Sequence, residues 1–187
     1  MSTVFDWSIV GPALLAGILV LSTHVPLGRK VLERGIIFID LAIAQVAAVG
    51  VILADNIGLD HGWEVQVAAV TAAMIAAAGL HLTEKLWPNI QEALIGVLFV
   101  LAASASILLL ADNPHGGEQL KDLLVGQILW VDYQQLIPTL AIYTALLGVW
   151  FGLHEHLPRM AFYLIFAIAI TASVQLVGVY LVFASLI

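Results

Sequence analysis

Residues 93–111 read ALIGVLFVLAASASILLLA, nineteen in succession with no charged side chain and only two serines interrupting the apolar run. As a helix this stretch spans about 28 Å, close to the thickness of a bilayer's hydrocarbon core. Five more segments have the same character: Ile9–Val25, Ile36–Ala54, Val65–Leu82, Leu136–Leu153 and Met160–Ile187. The spacers between them are short. Pro26-Leu27-Gly28, Asp55-Asn56-Ile57-Gly58, Trp87-Pro88-Asn89, Asn113-Pro114-His115-Gly116-Gly117 and Leu157-Pro158-Arg159 carry the proline, glycine and asparagine of turns and helix ends. The expected fold is all-α, a polytopic transmembrane bundle of about six spanning helices in one domain, 1–187.

Composition agrees. Of 187 residues, 62% are hydrophobic and 10% charged, and the mean hydropathy is +1.06. A water-soluble domain carries about 45–50% apolar and about 25% charged residues, so lipid is the solvent here. Thirteen acids against six Lys and Arg give a formal charge of −7, and the acids are spread between the apolar runs. Nucleic-acid binding, which requires basic patches, is therefore not expected. There is no cysteine, which excludes disulfides and thiolate metal sites. Met1–Ser8 has Asp6 and no Lys or Arg, so the first apolar run lacks the basic flank of a signal peptide and is expected to stay as a helix.

Two segments are unusual. Residues 123–131, LLVGQILWV, are too few to cross and are bounded by Asp122 and Asp132, so a short interfacial or re-entrant helix is expected there. The last segment is too long for one simple crossing and is interrupted by Thr171, Ser173, Gln175 and Gly178; it reads as one tilted helix or as a helix broken near its middle. Small residues line the second helix (Ala42, Ala44, Ala47, Ala48, Gly50) and the third (Ala72, Ala73, Ala76, Ala77, Gly79), as close helix packing in lipid requires.

A charge at mid-bilayer costs at least about 2.5–3.5 kcal/mol, which singles out intramembrane polar residues. Asp40, in GIIFIDLAIAQ, either faces a water-filled path and meets a cation or pairs with Arg34 or another helix. Gln45 follows it, about 140° away around the helix, so the two do not form a ready pair. Gln175 lies deep in the last run, as a path residue or an interhelical hydrogen-bond partner. His24, beside Thr23 and Pro26, reads as a helix-end histidine, and His81 has Glu84 and Lys85 nearby. His154, Glu155 and His156 read as a solvated turn, although two imidazoles there could share one ion. No phosphate loop, H-E-x-x-H or G-x-S-x-G is present, so the chain is not expected to be an enzyme, and any ATP it uses is hydrolysed on another subunit.

Three stretches together resemble the permease subunits of the zinc/manganese/iron ABC transporter family. These are Val25-Pro26-Leu27-Gly28 through Arg34, Phe38 and Ala44 to Gly50-Val51; Glu92-Ala93-Leu94-Ile95-Gly96-Val97-Leu98-Phe99 with Leu123-Leu124-Val125-Gly126-Gln127-Ile128-Leu129; and Val174-Gln175-Leu176-Val177-Gly178 with Leu181-Val182 and Ser185-Leu186-Ile187. The resemblance implies an importer of a divalent transition metal in a bacterial cytoplasmic (inner) membrane. Two permease copies would form the pore, separate ATPases would drive it, and an extracytoplasmic solute-binding protein would deliver the ion. Asp40 and Gln45 are the metal-path candidates, with Gln175 as a further one. Where the family places an aspartate and a histidine four residues apart, this chain has Leu41 and Gln45, with Asp40 displaced by one. That departure keeps open a permease for a metal chelate or another small solute; a non-transporting scaffold subunit is the alternative from another class. Family members also continue past the position of Ile187 through a cytoplasmic coupling helix and about two more spans, so the domain reads as incomplete relative to them.

Two expectations about orientation disagree. Arg29, Lys30 and Arg34 place the first connection in the cytoplasm. A coupling helix after Ile187, counted back through six crossings, places it outside. A broken last helix would change that count.

Overall fold

A computed structural model describes residues 7–59, 62–153 and 158–187. These form seven α-helices: α1 (Trp7–Arg34), α2 (Ile39–Asn56), α3 (Gly62–Leu86), α4 (Gln91–Leu109), α5 (Gly116–Val125), α6 (Tyr133–Leu153) and α7 (Arg159–Leu186), with 3-10 turns at Pro88–Ile90 and Ile128–Trp130. All but α5 are long and apolar enough to cross a membrane. The fold is the expected all-α polytopic bundle, with boundaries that differ in instructive places.

The expected turn at Pro26-Leu27-Gly28 lies inside α1. Pro26 removes one backbone donor and frees the Ser22 carbonyl, yet the helix continues because Leu27 and Val31 bury fully in the core. It ends instead at Gly35, where the Gly35 and Ile36 amides donate to the carbonyls of Leu32 and Val31 at 3.2 and 3.3 Å, the bonding of a glycine-terminated helix. Arg29, Lys30 and Arg34 therefore ride on the last turns of a helix rather than in a loop.

The centre of the bundle is α2, packed against α3, α4 and α7. Ala42, Ala44, Ala47 and Ala48 are buried, and a Cβ on Gly50 would stand 2.9 Å from the Ala68 carbonyl oxygen and the Ala72 Cβ. The small-residue stripe thus lets two backbones meet, as in other lipid-embedded bundles. Gly79, grouped with it from the sequence, faces open space.

Contacts sort the helix ends into two sets. At one end, Arg34 stacks 4.3 Å over the Phe162 ring, the Phe38 amide donates to Glu92 at 3.1 Å, and His81 lies 5.4 Å from the Tyr163 ring. This end gathers Arg29, Lys30, Arg34, Lys85 and Arg159, five of the six Lys and Arg residues, together with Glu33, Glu84 and Glu92. At the opposite end, Asn56 donates to the Leu109 carbonyl and Gln119 donates to Asp55 at 2.6 Å. That end carries Asp55, Glu64, Asp112, Glu118, Asp122 and Asp132 with Lys121 alone against them. We refer to them as the basic and acidic ends.

The last apolar run is a broken helix. Gly178, at φ 77° and ψ 165°, interrupts α7, and the chain reverses there. Ser173 and Ser185 are twelve residues apart, about 18 Å along a straight helix, yet they reach the two nitrogens of one imidazole: His24 Nε2 to Ser173 Oγ at 2.8 Å and Nδ1 to Ser185 Oγ at 2.6 Å. Beyond the break, Phe183 stacks on Phe38 and Leu186 abuts Gly28, so the second limb runs back toward the basic end. The conflict over orientation disappears with this hairpin, because Ile187 and the Arg29–Arg34 turns lie at the same end.

The short segment expected at 123–131 begins earlier, as α5 from Gly116, and closes with Gly126 and the turn Ile128–Trp130. The Asn113–Gly117 spacer, read as a turn or helix end, holds the start of α5, where Gly116 fits under Leu110.

Candidate functional site

Gly126 and Gly178 meet. Both have positive φ, and a Cβ on either would overlap the other's backbone: on Gly126 it would strike Val177 and Gly178, on Gly178 it would strike Val125 and Gly126. Two non-helical pieces of backbone therefore touch where α5 comes up against the break in α7. In a bilayer, irregular backbone is tolerated only where protein covers it or where it lines a water-filled cavity. A cavity of about 580 Å³ lies beside the junction, bounded by Val51, Glu118, Asp122, Gln127, Gln135 and Gln175 among others. His115 also lines it. The carboxylates come from α5, and the amides from the segment after it (Gln127), from the first turn of α6 (Gln135) and from the turn of α7 just before Gly178 (Gln175).

Of the three candidates taken from the sequence, Gln175 alone opens into this cavity. Gln45 is buried and donates to Ser106 Oγ at 3.3 Å, while Ser106 donates to the Ala102 carbonyl, so this amide ties α2 to α4. Asp40 lies in the first turn of α2 and has no solvent-exposed surface. Neither of its carboxylate oxygens has a hydrogen-bond partner among the described residues. The pairing with Arg34 weighed from the sequence is not formed: the guanidinium lies over Phe162 and Tyr163. Eleven residues separate Asp40 from Val51 at the cavity wall, about 16 Å along α2.

His24 is not the helix-end residue that the sequence suggested. Because α1 runs through Pro26, the imidazole lies mid-helix and fully buried. Its bonds to Ser173 and Ser185 hold both limbs of α7 against α1, and Tyr143 of α6 joins the group through Ser173. The readable signal was a histidine on the buried face of α1 and serines at 173 and 185, but only the hairpin brings them together. His81 Nδ1 stands 3.9 Å from Glu84. His154, Glu155 and His156 lie outside the described residues. Among the described residues no three His, Asp or Glu side chains are grouped to hold a metal.

The bundle is similar to a solved structure of PsaBC from Streptococcus pneumoniae in complex with Fab, with a TM-score of 0.73 and 21% identity over 96% of this chain and 70% of that chain. At that identity the likeness establishes the fold. No curated protein matches the chain. Residues 6–157 match the ABC 3 transport family. That match covers most of the sequence, and the chain therefore belongs to the ABC 3 transport family, as an integral membrane permease subunit of an ABC transporter.

Proposed function

We propose that this permease imports a divalent transition-metal ion, zinc, manganese or iron, driven by ATP hydrolysed on a separate subunit. The observation carrying this reading is the Gly126–Gly178 junction beside a cavity lined with carboxylates and amides. Broken helices at a polar cavity are the common construction of transport sites, because they free backbone groups and permit rigid parts to rock past each other. By the positive-inside rule the basic end faces the cytoplasm of a bacterial inner membrane, so the cavity opens toward the outer side. An extracytoplasmic solute-binding protein would deliver the ion there. Gln175 is its first contact, and Asp40, about 16 Å deeper, a later one. Gln45 would act by holding α2 to α4 beside that route. Two copies of the chain would frame the complete pore, with lipid around them.

The cavity's volume favours a second reading, since 580 Å³ would hold a hydrated ion or a small chelate as well as a bare ion. Uptake of radiolabelled manganese or zinc by cells expressing the transporter, with free ions and chelates as competitors, separates the two. Gln175→Ala is expected to slow initial uptake about fivefold, the effect of losing one polar contact of about 1 kcal/mol. Unchanged uptake in that variant would remove Gln175 from the path. Competition by a chelate but not by free ion would replace the bare-ion reading with the chelate.

A further inference from the structure

One face of the described bundle is chemically distinct from the cavity. Between α1 and α6 runs a groove of about 960 Å³, walled by Ile18, Leu21, Val25, Trp150 and Phe151 and closed at the basic end by Arg29, Lys30 and Glu33. From Ile18 to Glu33 it extends fifteen residues of α1, about 22 Å, which matches one bilayer leaflet with its headgroup layer. The apolar wall occupies the hydrocarbon depth, and the charges stand where headgroups lie. Lys30 and Arg29 share the single carboxylate of Glu33, at 2.9 and 3.3 Å. Among the described groove residues two cations stand against one anion, and the Arg29 side chain is 84% exposed with only its Nε engaged there. Pro26 adds to the recess, since its missing amide leaves the Ser22 carbonyl without its helical donor on this same face.

We infer that the α1–α6 groove is a binding site for one anionic phospholipid of the leaflet at the basic end, its phosphate on Arg29 and Lys30 and an acyl chain along Ile18, Leu21, Val25 and Phe151. Charge complementarity and the leaflet-matched length select a lipid over a soluble anion, which would have no use for the apolar wall. The groove lies apart from Gln175 and the Gly126–Gly178 junction, so the inference stands independently of the cargo.

Residues 1–187 contain no cysteine, so Leu21→Cys adds a labelling position inside the groove, read as the difference from the same preparation without that substitution. A fluorophore there, in vesicles of the full-length transporter, is quenched by brominated lipid that occupies the site. Brominated phosphatidylglycerol is expected to be preferred about fivefold over brominated phosphatidylcholine, the effect of one net surface charge. R29Q/K30Q should bring the preference to about one, while K85Q, a neutralisation at the same end but outside the groove, should leave it unchanged. Equal quenching by the two lipids in the unmodified background would overturn the inference. So would shielding from both lipids together with a disulfide cross-link between two copies of the unlabelled Leu21→Cys variant, because the groove would then be covered by a second copy. Native mass spectrometry gives an independent readout if the double variant does not fold: the unmodified transporter should retain phosphatidylglycerol through detergent exchange more than phosphatidylcholine, and equal retention would count against the site.

Discussion

Gly178→Ala is expected to abolish transport, with uptake below about a tenth of the unmodified level, and to lower thermal stability in detergent. Gly178 sits at φ 77° and ψ 165°, a region essentially closed to residues with a Cβ, where the strain is about 1–3 kcal/mol. Steric overlap adds to that. An alanine Cβ would meet the amide nitrogen of Gly126 and the carbonyl carbon of Val125, both backbone atoms that cannot rotate away. The two segments would have to part, and with them one wall of the cavity. Gly126→Ala should behave the same way, because its Cβ would strike Val177 and Gly178. Gly148→Ala is the control: nothing lies within 4 Å of its Cβ position, and alanine is the better helix former by about 1 kcal/mol. Thermal melting and uptake measured on the three variants decide the matter. If Gly178→Ala and Gly126→Ala both behave like Gly148→Ala, the junction does not hold the site together.

The second large effect separates function from stability. Asp40→Ala is expected to reduce metal uptake by about tenfold or more while leaving the melting temperature the same or higher. The carboxylate is fully buried, and its oxygens have no partner among the described residues. A group in that state destabilises the fold, at about 1–3 kcal/mol for an unsatisfied polar group and more when charged. Removing it relieves that penalty and leaves only a small void in the first turn of α2. A carboxylate retained at such a position is expected to meet something the described residues do not supply, and a passing cation meets that description. Uptake kinetics and thermal melting of Asp40→Ala in the intact transporter test this directly. Unchanged uptake, or a fall in melting temperature that accounts for the loss of uptake, would take Asp40 out of the path and make it a structural residue.

The spanning helices were legible because a bilayer demands long apolar runs, and nothing else in the sequence competes with that signal. Their ends were less so. Pro26 reads as a stop in any local scheme, but burial of Leu27 and Val31 carries the helix past it, and the stop falls at Gly35. The break in α7 could be suspected from its length and from Gly178. The reversal of direction could not, because it depends on His24, Ser173 and Ser185 meeting across about 150 residues of sequence. The local reading of Pro26 as a stop also placed His24 at a helix end, two residues before it. Among the path candidates, Asp40 and Gln175 were found by one physical rule, that polar groups in lipid need a reason. The rule does not say which faces a cavity and which is enclosed. Gln45 followed from a family pattern this chain departs from, and its hydrogen bond to Ser106 gives it a packing role as well.

We propose above that this chain is the pore-forming subunit of an ATP-driven metal importer. The most direct measurement is manganese and zinc uptake into vesicles reconstituted with the complex purified by a tag on this chain, with and without ATP. An ATPase subunit is expected to co-purify, and uptake is expected to require ATP. A stable complex that carries no ATPase, with ion uptake absent or indifferent to ATP, would contradict that proposal and favour a non-transporting scaffold.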